Sequence, residues 1–459
     1  MLFSSISFLF FLPVFLFLYY LLPWKNVLLL VASLIFYAWG EPRFVPLLLA
    51  SATINYACGR AIAGDRQRAR WWLALGVTTN VAMLAWFKYI GFLGHAVNGL
   101  FGAHLPVPQV VLPLGISFFT FQGISYLIDV YRGEVEAQRS LLRFATYKAM
   151  FPQLIAGPIV RYRQIAADIG NRRLDNARLL AGFQLFALGM AQKVLLANTL
   201  AVPADNLFGP DAAQLSALSA WLGLLCYTLQ IYYDFCGYSN MAIGMGHMLG
   251  FTYPPNFDRP YSARSVTEFW QRWHISLSSW FRDYLYIPLG GNRRGQWRTY
   301  VNLATVFLLC GLWHGAAWTF VMWGFWHGGW LIVERMGLKP ALDRLPRPLA
   351  QAWTLFVVML GWVWFRAPDL PAAMGYMVHL FDWTGTGDLP WQYEIGSVEI
   401  AAIIAGLAFA LLPTGRAPGQ TRLLSAGRWT LYPLAAGAIA LCICALAGGT
   451  YNPFLYYRF

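Results

Sequence analysis

The chain has 459 residues, of which 58% are hydrophobic and only 12% are charged. Soluble domains usually carry about 25% charged residues, so this composition excludes a water-soluble globular protein and indicates a membrane protein. The net charge of +13 lies in segments that flank apolar stretches and not on one soluble face, which argues against a nucleic-acid partner.

Apolar stretches of the length that crosses a bilayer, roughly 17–25 residues, recur along the chain. They predict an all-α polytopic membrane protein with roughly 11–13 membrane segments, some of them short, broken by Gly and Pro, and re-entrant. The predicted segments are 5–22, 26–40, 44–60, 72–90, 109–129, 143–159, 179–200, 215–234, 300–314, 316–334, 350–366, 398–413 and 430–448. One membrane domain is expected over residues 1–459, ending in a tail, residues 451–459.

The basic residues form five groups between apolar segments. They are Arg60, Arg66, Arg68 and Arg70; Arg161, Arg163, Arg172, Arg173 and Arg178; Arg259, Arg264, Arg272, Arg282, Arg293, Arg294 and Arg298; Arg335, Lys339, Arg344 and Arg347; and Arg416, Arg422 and Arg428. The positive-inside rule places these groups in the cytoplasm. The loop 367–397 has acidic residues but no Lys or Arg, so it is predicted to face outward. Alternation then places both termini on the side of the membrane opposite the cytoplasm.

The six cysteines lie mostly in apolar segments, and their spacing fits neither a metal site nor a disulfide framework. They are Cys58, Cys226, Cys236, Cys310, Cys442 and Cys444. We interpret them as packing residues, and we expect no metal.

Four stretches carry polar residues within otherwise apolar sequence. They are LPLGISFFTFQGISYLIDVYRG (112–133), PQLIAGPIVRY (152–162), LQIYYDFCGYSNMAIGMGH (229–247) and EFWQRWHISLSSWFRDYLYIPLGGNRR (268–294). Ionisable groups at membrane depth are usually functional, but many polar groups there only join helices by hydrogen bonds. The structural interpretation is favoured for Gln230, Asp234 and Asn240. For Asp129 and Asp283 the simplest interpretation is a salt bridge to a nearby arginine.

His314, in GLWHGAAWTF (311–320), is the clearest candidate for chemistry. An imidazole exchanges a proton near neutral pH, so a neutral ring in a dry pocket suits a general base. His327 lies 13 residues further on, roughly 220° around an unbroken helix, and is therefore not an obvious partner. His274 lies 40 residues earlier and can reach His314 only through tertiary folding.

The arginine-rich stretch 259–298 has two interpretations. Guanidinium groups match phosphate geometry, so the stretch suits a phosphate-bearing cytoplasmic ligand. Loops on the cytoplasmic side are basic in any case, and for any individual arginine this topological interpretation is the stronger one.

Together these motifs resemble the membrane-bound O-acyltransferase (MBOAT) family, in particular its bacterial branch of alginate and related cell-surface polymer O-acetyltransferases. The motifs are FSSISFLFFLPVFLFLYYLL, LPLGISFFTFQGISYLIDVYRG, PQLIAGPIVRY, QIYYDFCGYSNMAIGMG, FWQRWHISLSSWFRDYLYIPLGGNR, GLWHGAAWTFVMWGFWHG and PFLYYRF, in that order. The resemblance covers residues 1 to 335 and the very end of the chain.

The resemblance implies a ring of helices with a central tunnel, acetyl-CoA as the cytoplasmic acyl donor, and no bound cofactor. His314 would be the catalytic base that activates an acceptor hydroxyl, and His274 the second active-site polar group. Candidates for the donor site or the tunnel are Arg282, Asp283, Asn240, Asp234 and Trp313. In this branch a terminal tyrosine, here Tyr456, is proposed to carry the acyl group on the outer side.

The sequence also departs from the branch. Cys236 and Asn240 stand where Ser and Asp are common, His247 stands where a basic residue is common, and Tyr457 replaces a frequent Phe. These departures leave the expected acyl-transfer chemistry intact, but they make the polymer substrate harder to identify. The simpler alternative to an acyl carrier at Tyr456 is an interfacial aromatic anchor.

The favoured hypothesis is an enzyme that supplies acetyl groups for O-acetylation of an extracytoplasmic polysaccharide such as alginate, with cellulose or peptidoglycan as alternative acceptors. Because no soluble carbohydrate-binding domain is visible, a separate periplasmic SGNH-like partner is expected to place the acetyl group on the polymer. A transporter or flippase is the alternative from another class, since broken helices and intramembrane polar residues also occur there. A protein acyltransferase that uses long-chain acyl-CoA is a third.

Overall fold

The computed structural model describes residues 2–209, 215–384, 395–411, 428–453 and Leu455. Within these ranges the chain forms helices joined by loops, without any β-strand. The prediction of an all-α protein is therefore confirmed.

The chain divides into two compact units, Met1–Phe186 with Ser239–Pro254, and Ala187–Tyr238 with Pro255–Phe459. The α-helices up to the middle of the chain are Ile6–Leu21, Lys25–Gly40, Val45–Gly64, Ala69–Leu84, Ile90–Phe101, Ile116–Arg132, Leu141–Ala149, Phe151–Leu154, Tyr162–Gly170, Asn176–Ala191, Asn198–Leu207 and Ala217–Met248. Those that follow are Val266–Arg272, Ile275–Phe281, Gln296–His314, Trp318–Val333, Lys339–Arg344, Arg347–Arg366, Leu370–Phe381, Ser397–Leu411 and Arg428–Ala447. The expectation of one membrane domain with a periplasmic tail stays a prediction.

Several helices continue directly into π-helical turns, at Ala85–Tyr89, Gln192–Ala197, Arg282–Tyr286 and Glu334–Leu338. Among the residues that the structure describes, three helical stretches are long and apolar enough to cross a bilayer: Ala69–Phe101, Asn176–Leu207 and Arg347–Arg366. Shorter apolar helices are Ile6–Leu21, Lys25–Gly40, Leu370–Phe381, Ser397–Leu411 and Tyr432–Ala447. Most predicted segments coincide with a helix, while their total of 11–13 stays a prediction.

The predicted segment 143–159 is not one helix. It forms two short helices that are separated at Met150, whose ψ of 122° is extended. Pro152 has no backbone N–H and is tolerated only in the first turn of a helix, so a new helix begins just before it. Beyond this second helix the backbone is non-helical, and Gly157 has φ +108°, a conformation that favours glycine.

In the first unit, polar and small residues join three helices: Val45–Gly64, Ala69–Leu84 and Ile116–Arg132. Asn55 and Asn80 exchange side-chain hydrogen bonds of 3.3 and 2.8 Å. A Cβ atom on Gly59 would lie 2.6 Å from the Tyr126 ring. Such close approach through small residues and amide pairs is typical of helix packing in membranes.

In the second unit, the helices Gln296–His314 and Trp318–Val333 form a tight hairpin. A Cβ atom on Gly324 would lie 2.5 Å from the carbonyl oxygen of Phe307, and one on Gly328 would lie 3.0 Å from the Phe307 side chain. The backbones can approach this closely only because glycines face the partner helix. This hairpin fixes the position of His314 at its turn.

Candidate functional site

His314 is the last residue of its helix, at the point where the chain turns. Gly315 is extended, with φ −159° and ψ 149°, and the next helix begins at Trp318. The His314 side chain is only 3% exposed. Its ring packs edge-to-face against Trp313, Trp323 and Phe365, with centroid distances of 4.9, 5.0 and 5.2 Å. The imidazole is therefore enclosed by aromatic rings.

His274 lies in a tight connection between the helices Val266–Arg272 and Ile275–Phe281. Its backbone is left-handed, with φ 42° and ψ 55°, and this conformation costs a non-glycine residue roughly 1–2 kcal/mol. The surrounding chain enforces it, because the Ile275 N–H donates to the Asn256 carbonyl oxygen at 2.9 Å. The side chain is fully buried. Strain of this kind concentrates at functional sites.

Asn256 also fixes the protonation of the His274 ring. Its Oδ1 accepts hydrogen bonds from the backbone N–H and the hydroxyl of Ser276, at 3.2 and 2.8 Å. An atom that accepts from a backbone N–H must be the amide oxygen, so His274 Nδ1, at 3.1 Å from it, must donate. In the neutral ring Nε2 then carries the lone pair. No described residue forms a hydrogen bond with this Nε2.

Trp313 brings the two predicted catalytic histidines together. Its ring lies 6.1 Å from the His274 ring and 4.9 Å from the His314 ring, measured between centroids. The His274 ring also packs edge-to-face against Phe235, with a centroid distance of 4.6 Å. The two imidazoles thus belong to one aromatic cluster, and their catalytic roles remain predictions.

His327 is nearer to this cluster than the sequence indicated. The argument against it assumed an unbroken helix, but the chain leaves the helix between His314 and Trp318, which resets the angular relation. Trp323 packs against both His314 and His327, and its ring centroid lies 5.0 Å from each imidazole centroid. His327 is fully buried, and neither ring nitrogen has a hydrogen-bond partner within the described residues. The repeated WHG in the sequence was the available signal.

A cavity of about 450 Å³ lies beside the cluster. One wall is the apolar stripe of the helix Gln296–His314, formed by Leu303, Val306, Phe307 and Cys310. The other wall includes Thr267, Trp270, Gln271, Ile275, Leu277, Ser278, Ser279, Phe281, Arg282, Tyr286 and Leu331. His314 is four residues after Cys310, so both project from the same face of the helix. Neither His314 nor His274 is among the described lining residues; the cavity meets the cluster through Trp270, whose ring packs against Trp323 and His327 at 5.5 and 5.1 Å.

The helix that carries Trp270 is held at its start by a buried carboxylate. Glu334 accepts from the backbone N–H groups of Val266 and Thr267, at 2.5 and 2.9 Å, and from the Thr267 hydroxyl at 2.6 Å. The first N–H groups of a helix have no partner within it. The carboxylate satisfies them and stabilises the helix N-terminus.

The simpler interpretation holds for two acidic candidates. Asp129 forms an ion pair with Arg163 at 3.8 Å, and Asp283 forms one with Arg282 at 2.8 Å. The Asp283 carboxylate raises the pKa of the Arg282 guanidinium, chiefly through their hydrogen bond. Arg282 lines the cavity and its side chain is 63% exposed, so it remains accessible to an anionic ligand.

For Asp234 the sequence favoured an interhelical hydrogen bond, but the contact is an ion pair. Asp234 forms this buried pair with Lys193, whose Nζ lies 2.6 Å from Asp234 Oδ1. Sequence analysis missed Lys193, although a lysine within the apolar segment 179–200 was a usable signal. Asp234 directly precedes Phe235, which packs on His274.

Two further candidates are Asn240 and Tyr456. Asn240 belongs to the first unit, whereas the histidines belong to the second. Tyr456 and Tyr457 lie outside the described residues. The proposed role of each stays a prediction.

Comparison with known proteins gives the chain a family. The sequence profile of MBOAT, the membrane-bound O-acyltransferase family, matches residues 136–366, which include His274, Trp313 and His314. The chain is 44% identical to "Probable alginate O-acetylase AlgI" of Azotobacter vinelandii over 90% of this chain and 84% of that protein. It is 46% identical to the protein of the same name in Pseudomonas aeruginosa, over 90% of this chain and 81% of that protein.

A third relative carries a different name. The chain is 38% identical to "Peptidoglycan O-acetyltransferase" of Helicobacter pylori, over 75% of this chain and 72% of that protein. All three names describe O-acetyl transfer, so the family match favours the enzyme over the transporter hypothesis. A buried aromatic cluster with two histidines, a neighbouring cavity, and this similarity over most of the chain lead to one conclusion: the protein is a multi-pass membrane acyltransferase of the MBOAT family.

Proposed function

We propose that this protein takes acetyl groups from acetyl-CoA at the cytoplasmic side of the bacterial inner membrane and supplies them for O-acetylation of an alginate-like polysaccharide outside it. The observation that carries the proposal is the pairing of His274 and His314 around Trp313, beside the cavity. The names of relatives that match 90% of the chain support alginate as the acceptor polymer.

The cavity is the proposed site for the donor. Its volume of about 450 Å³ lies within the range of roughly 300–1,000 Å³ that small-molecule sites occupy. Arg282 offers a guanidinium group that suits the phosphates of CoA. The apolar stripe that ends at Cys310 suits the pantetheine arm and directs the thioester toward His314.

His314 acts as the general base. The hydroxyl oxygen of the acceptor attacks the thioester carbonyl carbon while its proton passes to the imidazole. The new C–O bond forms as the C–S bond breaks, and the proton then leaves with the CoA thiolate as free thiol. The aromatic rings around His314 exclude water, which protects the thioester from hydrolysis.

His274 supports this chemistry as the second polar group. Donation from Nδ1 to Asn256 fixes the tautomer that leaves the Nε2 lone pair available. In this position Nε2 accepts a hydrogen bond from the acceptor hydroxyl or from a water molecule that bridges to it.

Transfer to the polymer requires an outer relay. Tyr456 is the proposed acyl carrier: its phenol hydroxyl is the acceptor that attacks the thioester, which yields the acetyl ester of Tyr456 and free CoA. A separate periplasmic SGNH-like protein then transfers the acetyl group from this ester to a polysaccharide hydroxyl, which restores the phenol. Peptidoglycan is the second candidate acceptor, because of the similarity to the Helicobacter pylori protein named for it.

The test uses the purified full chain with acetyl-labelled acetyl-CoA. We expect release of CoA and label on Tyr456, both lowered by roughly a hundredfold or more in His314→Ala, since a general base contributes about 10²–10⁴-fold. His95→Ala is the matched control, because His95 is exposed and lies in the first unit.

The possible outcomes distinguish the base, the acyl carrier and the acceptor polymer from one another. Equal CoA release by wild type and His314→Ala would refute the base. CoA release without label on the tail would refute Tyr456 as carrier and favour direct transfer to the partner. Adding alginate or peptidoglycan with the periplasmic partner then identifies the polymer that gains the label.

A further inference from the structure

The described C-terminal residues, 451–453 and Leu455, form a segment that is bound through polar contacts within the second unit. The Tyr451 hydroxyl donates to Asp205 Oδ2 at 2.8 Å. The Asn198 side-chain amide donates to Asn452 Oδ1 at 3.0 Å. The side chain of the last described residue is buried, so this short segment is fixed at both ends.

Two further contacts involve only backbone groups of this segment. Lys193 Nζ donates to the carbonyl oxygen of Pro453. The Leu455 N–H donates to Asp234 Oδ2 at 3.1 Å. One carbonyl and one N–H, two residues apart, thus bind the two members of a single ion pair.

The ion pair itself is buried, with side-chain exposures of 1% for Lys193 and 2% for Asp234. A buried pair overcomes the cost of desolvation only if further hydrogen bonds satisfy its remaining donors and acceptors. Asn198 Oδ1 accepts one bond from Lys193 at 2.7 Å. The tail backbone supplies the others, one to each charge.

The local structure explains why the two charges meet. Lys193 lies in the π-helical turn Gln192–Ala197, and such turns occur frequently at functional sites. A Cβ atom on Gly237 would lie 2.5 Å from the Gly189 carbonyl oxygen and 3.0 Å from the backbone nitrogen of Lys193. Gly237 is one turn after Asp234, so its missing side chain permits the close approach that places Asp234 against Lys193.

We propose that Lys193 and Asp234 form a binding site for the C-terminal peptide of the chain, which they recognise through its backbone. The role in acetyl transfer rests on the proposed function: by holding Leu455, the pair positions the residue that follows, Tyr456. Lys193 and Asp234 are positioning residues and do not touch the acyl group. The helix that carries Asp234 also carries Phe235, which packs on His274 at 4.6 Å, so one rigid element holds both the peptide and the histidine.

The test measures amide hydrogen exchange of the C-terminal peptide by mass spectrometry in the full-length protein. The double variant Lys193→Met/Asp234→Leu removes both charges and leaves no single buried charge, so the fold is retained. We expect the Leu455 amide to exchange at least roughly tenfold faster, because it loses a hydrogen bond to a carboxylate. Asn55→Leu/Asn80→Leu is the matched control, since it replaces another buried polar pair, in the first unit.

Two variants at Leu455 leave the ion pair intact. Leu455→Pro removes the N–H that donates to Asp234 and leaves both charged side chains in place, whereas Leu455→Ala retains this N–H. We expect faster exchange at Asn452 in the proline variant than in the alanine variant. Unchanged exchange in the folded double variant, or equal exchange in the two Leu455 variants, would overturn the binding site.

Acetyl label on the tail, measured in the same samples, separates this proposal from the proposed function. Faster exchange together with at least tenfold less label supports the positioning role. Faster exchange with unchanged label would overturn that role while the peptide site stands. A wild-type tail that never takes label would refute the acyl carrier, and the exchange result would still decide the peptide site.

Discussion

At the scale of single residues, the histidines differ in how the fold holds them. His314 ends a helix and is enclosed by Trp313, Trp323 and Phe365. His274 instead has a left-handed backbone and a hydrogen bond to Asn256. Glycine adopts the left-handed conformation without this strain, so a histidine at this position indicates a role for its side chain.

This contrast makes a prediction about His274. His274→Gly should be more stable than His274→Ala by about 1 kcal/mol, because alanine keeps the left-handed strain and glycine relieves it. Both variants lose the imidazole, so both should lose acetyl transfer. Thermal unfolding in detergent and CoA release measure the two effects.

The same pair of substitutions at Thr305 is the control, since that residue lies in the interior of the helix Gln296–His314 and does not line the cavity. There glycine should be the less stable variant, by roughly 1 kcal/mol. An alanine variant at position 274 that matches or exceeds the glycine variant would contradict the strain argument.

At the scale of elements, the hairpin of Gln296–His314 and Trp318–Val333 determines where His314 lies. Its glycines are not equivalent: Gly324 faces the Phe307 backbone closely, while a Cβ atom on Gly329 would meet nothing within 4 Å. The helix interface therefore requires glycine at position 324, whereas position 329 has room for a larger side chain.

We expect Gly324→Ala to destabilise the protein by about 1–3 kcal/mol, because overpacking forces the helices apart, and to lower acetyl transfer by moving His314. Gly329→Ala, on the same helix, should be neutral or stabilising by up to about 1 kcal/mol, because alanine favours the helix. Thermal unfolding and CoA release measure both. Equal stability of the two variants would mean that the glycine contact does not hold the hairpin.

At the scale of the whole molecule, charge determines orientation in the membrane. The basic groups flank the apolar segments, and the stretch 367–397 has Asp and Glu but no Lys or Arg. It was predicted as a loop, but it contains the helix Leu370–Phe381. The positive-inside rule therefore predicts that the chain ends in the periplasm, as an outer acyl relay at Tyr456 requires.

A reporter enzyme that is active only in the periplasm tests this orientation. Fused after Phe459, it should be active; fused after Pro340, within a basic group, it should be inactive, because the positive-inside rule places that loop in the cytoplasm. Activity in the second fusion and not in the first would reverse the topology and exclude an outer relay by the tail.

The sequence by itself determined the all-α membrane fold, most helix positions and the chemical candidates. Apolar length, Gly and Pro breaks and basic loops are local properties, and each is readable in a single stretch. The same holds for His314 and His274, whose motifs carry the family resemblance. A lysine inside an apolar segment, Lys193, was equally readable but was overlooked.

Only the tertiary structure decided which of these residues meet. Trp313 joins His274 to His314, the break after His314 brings His327 to the same tryptophan, and Asp234 binds Lys193 and the tail backbone. These contacts link residues that are far apart in sequence, and helix packing at Gly237 and Gly324 sets them. The pattern of residue types determines which stretches form helices and which faces are apolar. How closely two helix backbones approach depends on the surface shapes of both helices.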